Sequence, residues 1–153
     1  MSISITSTAF REGDIMPVDY TCDGTGISPP LAWHGVPEKT RSLALTCEDP
    51  DAGKGIFSHW VIYNLPSQDR NLPENLPAVE ITENGAMQGT NDFDKIGYGG
   101  PCPGRGIHRY IFTIYALDTE LPLKPGADRS RLLQAIEGHI LDQSRIMVKY
   151  GRA

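Results

Sequence analysis

No run of apolar residues in this chain approaches the ~18 that a membrane-spanning helix requires, so no integral membrane association is expected. Cysteine is scarce, with only Cys22, Cys47 and Cys102, and no C-x-x-C pair suggests zinc or dithiol redox chemistry. The odd number leaves at least one thiol unpaired. Cys22 and Cys47 read as small buried thiols, while Cys102 stays open because it lies in an unusual loop. Basic residues are in deficit: 14 Lys and Arg face 19 Asp and Glu, for a net charge of −5. Without a basic cluster the chain lacks the footprint of sequence-independent nucleic-acid binding or of adhesion to anionic membranes. "MSISITSTAF" lacks the basic and apolar regions of a secretory signal, and the expected location is cytoplasmic. No repeat, low-complexity tract or long linker divides the 153 residues, which fit one domain over 1–153.

What the chain does have is turn formers, 16 glycines and 12 prolines, spread as they would be between many short strands. "SISIT" alternates Ile3 and Ile5 with small polar residues, the pattern of a strand with one buried face. "SLALTCED" predicts a second strand, ending at Asp49-Pro50-Asp51. "FSHWVIYNLP" and "HRYIFTIYALD" are too apolar on both faces to lie at a sheet edge and are placed centrally. A helix is expected from an N-cap at Asp128, with Leu132, Leu133, Ile136, Ile140 and Leu141 on one stripe, followed by a closing strand in "RIMVKYG". Residues 67 to 96 read as loop with a short strand near Val79 to Ile81. The fold class is therefore mainly β with one late helix.

Chemistry concentrates at "GGPCPGRGIHRY", residues 99 to 110. Glycine lets other atoms approach the main chain and proline fixes φ, so this is a shaped loop. Gly99, Gly100, Gly104 and Gly106 could aim bare N–H groups into one concavity that holds an anion, Gly100 keeping the backbone open to a ligand. Alone, the cluster reads first as an ordinary turn before a strand. Alternation along the strands puts His108 on one face with Tyr110, Phe112 and Ile114, and His59 on one face with Val61 and Tyr63. Arg109 faces away from His108 and is expected to pair with a carboxylate elsewhere. Asp49 and Asp51 could cap a turn, orient a histidine, or receive the amine of a zwitterion such as phosphoethanolamine. Together these groups suit a small phosphorylated or otherwise anionic ligand, with the two imidazoles adding positive charge when protonated.

"YTCDGTGISPPLAW", "SLALTCEDPDAG", "HWVIYNLP", "GYGGPCPGRGIHRYIFTIYALD" and "AIEGHIL" follow one another as in the phosphatidylethanolamine-binding protein family. The chain resembles that family, which includes the Raf kinase inhibitor protein, and is most similar to its compact bacterial members. The resemblance implies a large antiparallel sheet packed on a second, smaller sheet, with a C-terminal helix. It also implies an anion pocket lined by Asp49, Asp51, Phe57, His59, Gly100, Pro101, Cys102, His108 and Tyr110, and it leaves a homodimer open. Trp33, Trp60 and His139 fit family positions and read as packing residues. Three departures bear on the pocket: Gly53 where proline commonly follows D-P-D-A, Gly104 where proline is frequent, and Asp94 where glycine is usual after N-D-F.

The leading functional expectation is a non-catalytic, regulatory binder of a small anion or phosphorylated headgroup, needing no cofactor. A docking inhibitor of a kinase or protease is the alternative, although the long terminal extensions of the eukaryotic members are absent. A hydrolase is the remote third. Ser58 and His59 point to opposite faces of their strand, and neither G-x-S-x-G nor H-E-x-x-H occurs. Asp49-x-Asp51-x-Gly53 resembles the start of a calcium loop, but the later acidic ligands are missing, and no metal site is assigned.

Overall fold

The computed structural model describes residues 2–152. Eight strands and one α-helix follow in order: β1 (Ser4–Thr6), β2 (Leu31–His34), β3 (Ser42–Asp49), β4 (Phe57–Pro66), β5 (Asn71–Leu72), β6 (Met87–Gln88), β7 (Gly106–Leu117), α1 (Arg129–Ile136) and β8 (Ile140–Arg152). They form a five-stranded antiparallel sheet, β6-β4-β3-β7-β8, and a three-stranded antiparallel sheet, β1-β2-β5. The fold is mainly β, as expected. The apolar runs of β3, β4 and β7 do occupy the interior of the large sheet.

Both faces of those strands are covered, which is why they carry so little alternation. On one face Leu45, Trp60, Ile62, Phe112 and Ile114 share a buried cluster with Ile5, Leu31 and Trp33 of the small sheet and with Ile3 just before it. On the other, Ala44, Val61, Tyr63 and Tyr115 pack against Leu132 and Ile136 of α1. Each buried indole N–H has a partner: Trp33 donates to the Asp69 carbonyl and Trp60 to Gln88 Oε1, both at 2.8 Å. These bonds satisfy polar atoms that burial would otherwise penalise.

Three expectations are corrected here. Asp128 does cap the helix, accepting from Arg131 N at 2.9 Å, but α1 stops at Ile136 and Gly138 adopts φ 82°. That left-handed turn ends the helix and sends Ile140 and Leu141 into β8, where they are 41% and 39% exposed rather than part of the helical stripe. The last element is accordingly a strand. Between residues 67 and 96 the paired strands are β5 and β6, whereas Ile81 contributes only a single bridge to Met87. His139 is not a packing residue: it is half exposed and bonds through Nδ1 to Asp118 Oδ1 at 2.8 Å.

Candidate functional site

β3, β4 and β7 deliver their ends to one corner of the large sheet. The neighbouring loops close a cavity of about 200 Å³ there, lined by Asp49, Ala52, Phe57, His59, Phe93, Cys102, Pro103, Gly104, His108 and Tyr110. Six of the nine predicted residues thus lie on one wall or another: Asp49, Phe57, His59, Cys102, His108 and Tyr110. Asp51, Gly100 and Pro101 do not.

His59 reaches the cavity because of an irregularity that alternation could not foretell. Cys47 pairs with Trp60 but Glu48 pairs with Ser58, so His59 is the extra residue of a β-bulge. The bulge rotates it away from the Val61 and Tyr63 face expected of it. Its ring instead stands edge-on to Tyr110, with centroids 5.2 Å apart, and against Phe57 at 4.9 Å. Ser58 remains on the opposite face, apart from His59, opposite Glu48 in the register. His59 Nδ1 lies 2.7 Å from the Gly99 carbonyl. A carbonyl only accepts, so Nδ1 carries the proton and Nε2 is an acceptor in the neutral ring. Burial is the main reason that the imidazole is harder to protonate than an ordinary histidine.

Asp49 is almost wholly buried, 3% exposed, and both carboxylate oxygens are occupied. Oδ2 accepts from His108 Nδ1 at 2.7 Å and Oδ1 from the Asp51 N–H at 2.7 Å. The carboxylate therefore sets the His108 tautomer and leaves its Nε2 for a ligand. His108 stacks on Tyr110 at 6.3 Å, with planes 17° apart. One phenol ring thus separates and orients both imidazoles.

Asp51 is not available to a ligand. Arg109 holds it through its main-chain N–H, Nε and Nη2, each at 2.9 Å. The carboxylate that Arg109 was expected to find elsewhere is the second member of the acidic turn itself. These bonds draw the Asp51 pKa down to about 2. Asp51 fixes the turn that places Asp49.

The Gly/Pro loop is shaped mainly by packing. Gly99 N–H donates to the His59 carbonyl at 2.9 Å, and the Pro101 carbonyl accepts from Cys22 N at 3.1 Å. A Cβ on Gly100 would lie 2.7 Å from the Tyr20 carbonyl oxygen, so its smallness serves contact with the chain, not open access to a ligand. Pro101 is buried. Cys22 is not a buried thiol. It is solvent-exposed and disulfide-bonded to Cys102, tying the cavity wall to the segment after the 3₁₀ turn Val18–Tyr20, while Cys47 is the buried free thiol.

Sequence reasoning missed Phe93, whose ring contacts Phe57 at 4.8 Å and His59 at 5.4 Å. Gly99 leaves space for it, since a Cβ there would sit 2.4 Å from that ring. The N-D-F stretch pointed to the place but not to the side chain. Ala52 and Pro103 were legible only as neighbours of the two motifs, whereas Gly104, one of the loop glycines expected around the concavity, does line it.

The sequence pattern of the phosphatidylethanolamine-binding protein family matches residues 6–151. This chain belongs to the phosphatidylethanolamine-binding protein family. A UPF0098 protein of Methanothermobacter thermautotrophicus is 47% identical over 150 residues, covering 98% of this chain and 99% of the relative. A UPF0098 protein of Aquifex aeolicus is 47% identical over 153 residues, covering 98% and 89%. Among solved structures, a phosphatidylethanolamine-binding protein homolog from Chlamydia trachomatis superposes with a TM-score of 0.90 at 39% identity, covering 99% of each chain. YbcL of E. coli, described as a member of the mammalian family, gives 0.92 at 30% identity over 100% of each.

The departures from the family pattern now have conformational meaning. Gly53 has φ 92°, an angle closed to proline, so the acidic turn takes a different path from one built on D-P-D-A-P. Asp94 has φ 60°. It occupies a left-handed position that glycine fills without strain and Asp tolerates, so the substitution preserves the turn that presents Phe93.

Stability should fall with acid in two separate windows, the first through His59 and the second through Asp51 together with Asp23, whose carboxylate is held down by Tyr150 and Arg152. His59 is harder to protonate folded than unfolded, so its contribution is present above the unfolded pKa, ~6.5, and is lost as the pH falls below it. Asp51 contributes fully above its unfolded value, ~3.8, and is lost as the pH falls toward about 2. Urea midpoints measured from pH 8 to 2 should decline in both ranges. His59→Gln should remove the first decline and Arg109→Ala the Asp51 part of the second; unchanged profiles would contradict these assignments.

Proposed function

We propose that this phosphatidylethanolamine-binding family member is a non-catalytic binding protein for a small anionic or phosphorylated ligand. The supporting observation is the convergence of His59 and His108, each with Nδ1 anchored to the protein, on one small cavity floored by Tyr110. Anchoring one nitrogen of each ring leaves the other directed to a ligand and fixes its position beforehand. A cavity of about 200 Å³ is smaller than the ~300–1,000 Å³ of sites for drug-sized molecules. It suits a phosphate or a headgroup, not acyl chains. The aromatic wall of Phe57 and Phe93 can cover the carbon part of such a group.

The non-catalytic reading is supported by the placement of the candidate serine. Ser58, the hydroxyl nearest in sequence, is buried on the other face of β4 with Oγ unpartnered. No helix among the described residues is long and apolar enough to cross a membrane. Regulation of a protein partner would then follow from occupancy, with the disulfide-tethered loop as the surface that changes.

Anion affinity should strengthen as pH falls from 8 to 5, because each imidazole protonated adds positive charge beside the Asp49 carboxylate. His59, disfavoured by burial, joins at the acid end. Calorimetry with phosphate and with phosphoethanolamine tests this. An affinity that is flat or that rises with pH would overturn the reading.

A further inference from the structure

The polar lining of the cavity is unbalanced in a way that selects among anions. His59 has given its neutral-state proton to the Gly99 carbonyl, 2.7 Å away. Its Nε2 has no hydrogen-bond partner among the described residues and offers a lone pair. Asp49 contributes a buried negative charge. On the donor side stand the Tyr110 hydroxyl, likewise without a protein partner, and, when protonated, His108 Nε2. No Lys or Arg lines the cavity. An oxyanion whose every oxygen is bare would set one of them against the His59 lone pair and leave that acceptor unpaired, close to the charge of an Asp49 whose own oxygens are already hydrogen-bonded.

We propose that the site selects an oxyanion that brings its own donor hydrogen, of which hydrogen phosphate is the simplest, over one that has none, such as sulfate. This rests on the reading of the cavity as an anion site and goes further by assigning the discrimination to His59. The phosphate P–OH donates to His59 Nε2, and its bare oxygens accept from Tyr110 and, once that ring is protonated, from His108 Nε2. Sulfate matches divalent hydrogen phosphate in shape and charge but carries no proton, so it binds only after His59 itself takes one up. Specificity of this kind works by rejection, as an unsatisfied acceptor penalises the wrong ligand more than a hydrogen bond rewards the right one.

Everything packed around His59 bears on that uptake. Burial opposes it most, and the Gly99 carbonyl favours it; Asp49 on β3 and Asp92, beside the N-terminus of β4, also favour it, while His108 on β7 opposes it. Phe57, Phe93 and Tyr110 supply rings on the remaining sides. The balance keeps His59 an acceptor near neutrality, so the discrimination should be greatest in alkaline solution and fade in acid.

The test is calorimetric titration of the intact protein with inorganic phosphate and with sulfate at pH 8, 6.5 and 5, each in two buffers of different ionisation enthalpy. Phosphate should bind roughly tenfold to a hundredfold more tightly than sulfate at pH 8. The ratio should narrow by pH 5, and sulfate should take up more protons than phosphate. His59→Gln, whose amide can turn a donor toward the anion, should collapse the ratio by improving sulfate. If that variant does not fold, the wild-type series alone decides. Equal affinities at pH 8 with equal proton uptake would overturn the selectivity while leaving the anion site intact. Failure of both anions to bind even at pH 5 would overturn the anion site on which it stands.

Discussion

Gly100→Val should destabilise the protein by about 3 kcal/mol, at the upper end of what overpacking costs, whereas Gly104→Val should change stability by less than ~0.5 kcal/mol. The contrast follows from what each new side chain would meet. At Gly100 a Cβ falls 2.7 Å from the Tyr20 carbonyl oxygen and 3.0 Å from Thr21 Cα, both main-chain atoms. Main chain cannot rotate aside as the end of a side chain can. The Tyr20–Cys22 segment is pinned besides, by Tyr98 Oη donating to the same Tyr20 carbonyl at 2.7 Å and by the Cys22 to Pro101 hydrogen bond. At Gly104, on the cavity wall, nothing lies within 4 Å of the Cβ position. Valine there should obstruct the cavity and weaken phosphate binding without unfolding anything. Urea titrations of the two variants, with phosphate calorimetry on whichever stays folded, check both halves. A Gly104 variant less stable than the Gly100 variant would contradict this account of the loop.

That pair of glycines also shows what sequence can and cannot carry. "GGPCPGRGIHRY" announces a shaped loop, and its placement beside His59 and the acidic turn follows from strand order. Which glycine faces the cavity and which faces the chain does not, because that depends on Tyr20 and Thr21, some eighty residues away. His59 teaches the same lesson at shorter range. Period-two alternation runs correctly through Tyr110, Phe112 and Ile114, yet a single bulge at His59 inverts the assignment. A bulge is a matter of pairing between two strands, and one strand's sequence does not display it. Asp51 and Arg109 were each legible as charged groups in need of a partner. That they would satisfy one another, and so withdraw Asp51 from the site, required the register that brings β7 alongside the acidic turn. The end of α1 was misplaced for a local reason: the apolar stripe runs on through Ile140 and Leu141, but the left-handed Gly138 overrides it.

Removing the Cys22–Cys102 bond, by Cys22→Ser with Cys102→Ser, should cost roughly 2–5 kcal/mol of stability. The bond joins positions 80 residues apart, and releasing a loop of that length returns much conformational freedom to the unfolded chain. What remains to hold the cavity wall is non-covalent. Arg152 donates to the Pro103 carbonyl at 3.0 Å and pairs with Asp23, which Tyr150 also contacts. Those bonds keep the loop docked but allow Cys102, Pro103 and Gly104 to move, so phosphate affinity should fall along with the melting temperature. Both sulfurs belong to exposed residues, and a small dithiol such as dithiothreitol should reach them without unfolding the protein. Disulfide exchange then transfers the oxidised bond to the reductant and leaves two protein thiols. Wild-type protein in dithiothreitol should melt like the double-serine variant, and the variant itself should ignore the reductant. Cys47, enclosed in the core with its thiol made harder to ionise by burial, should resist alkylation while Cys22 and Cys102 are modified. A double-serine variant as stable as the oxidised wild type would show that the bond contributes nothing to the fold. Labelling of Cys47 together with the other two would mean that reduction opens the whole core instead of one wall of the cavity.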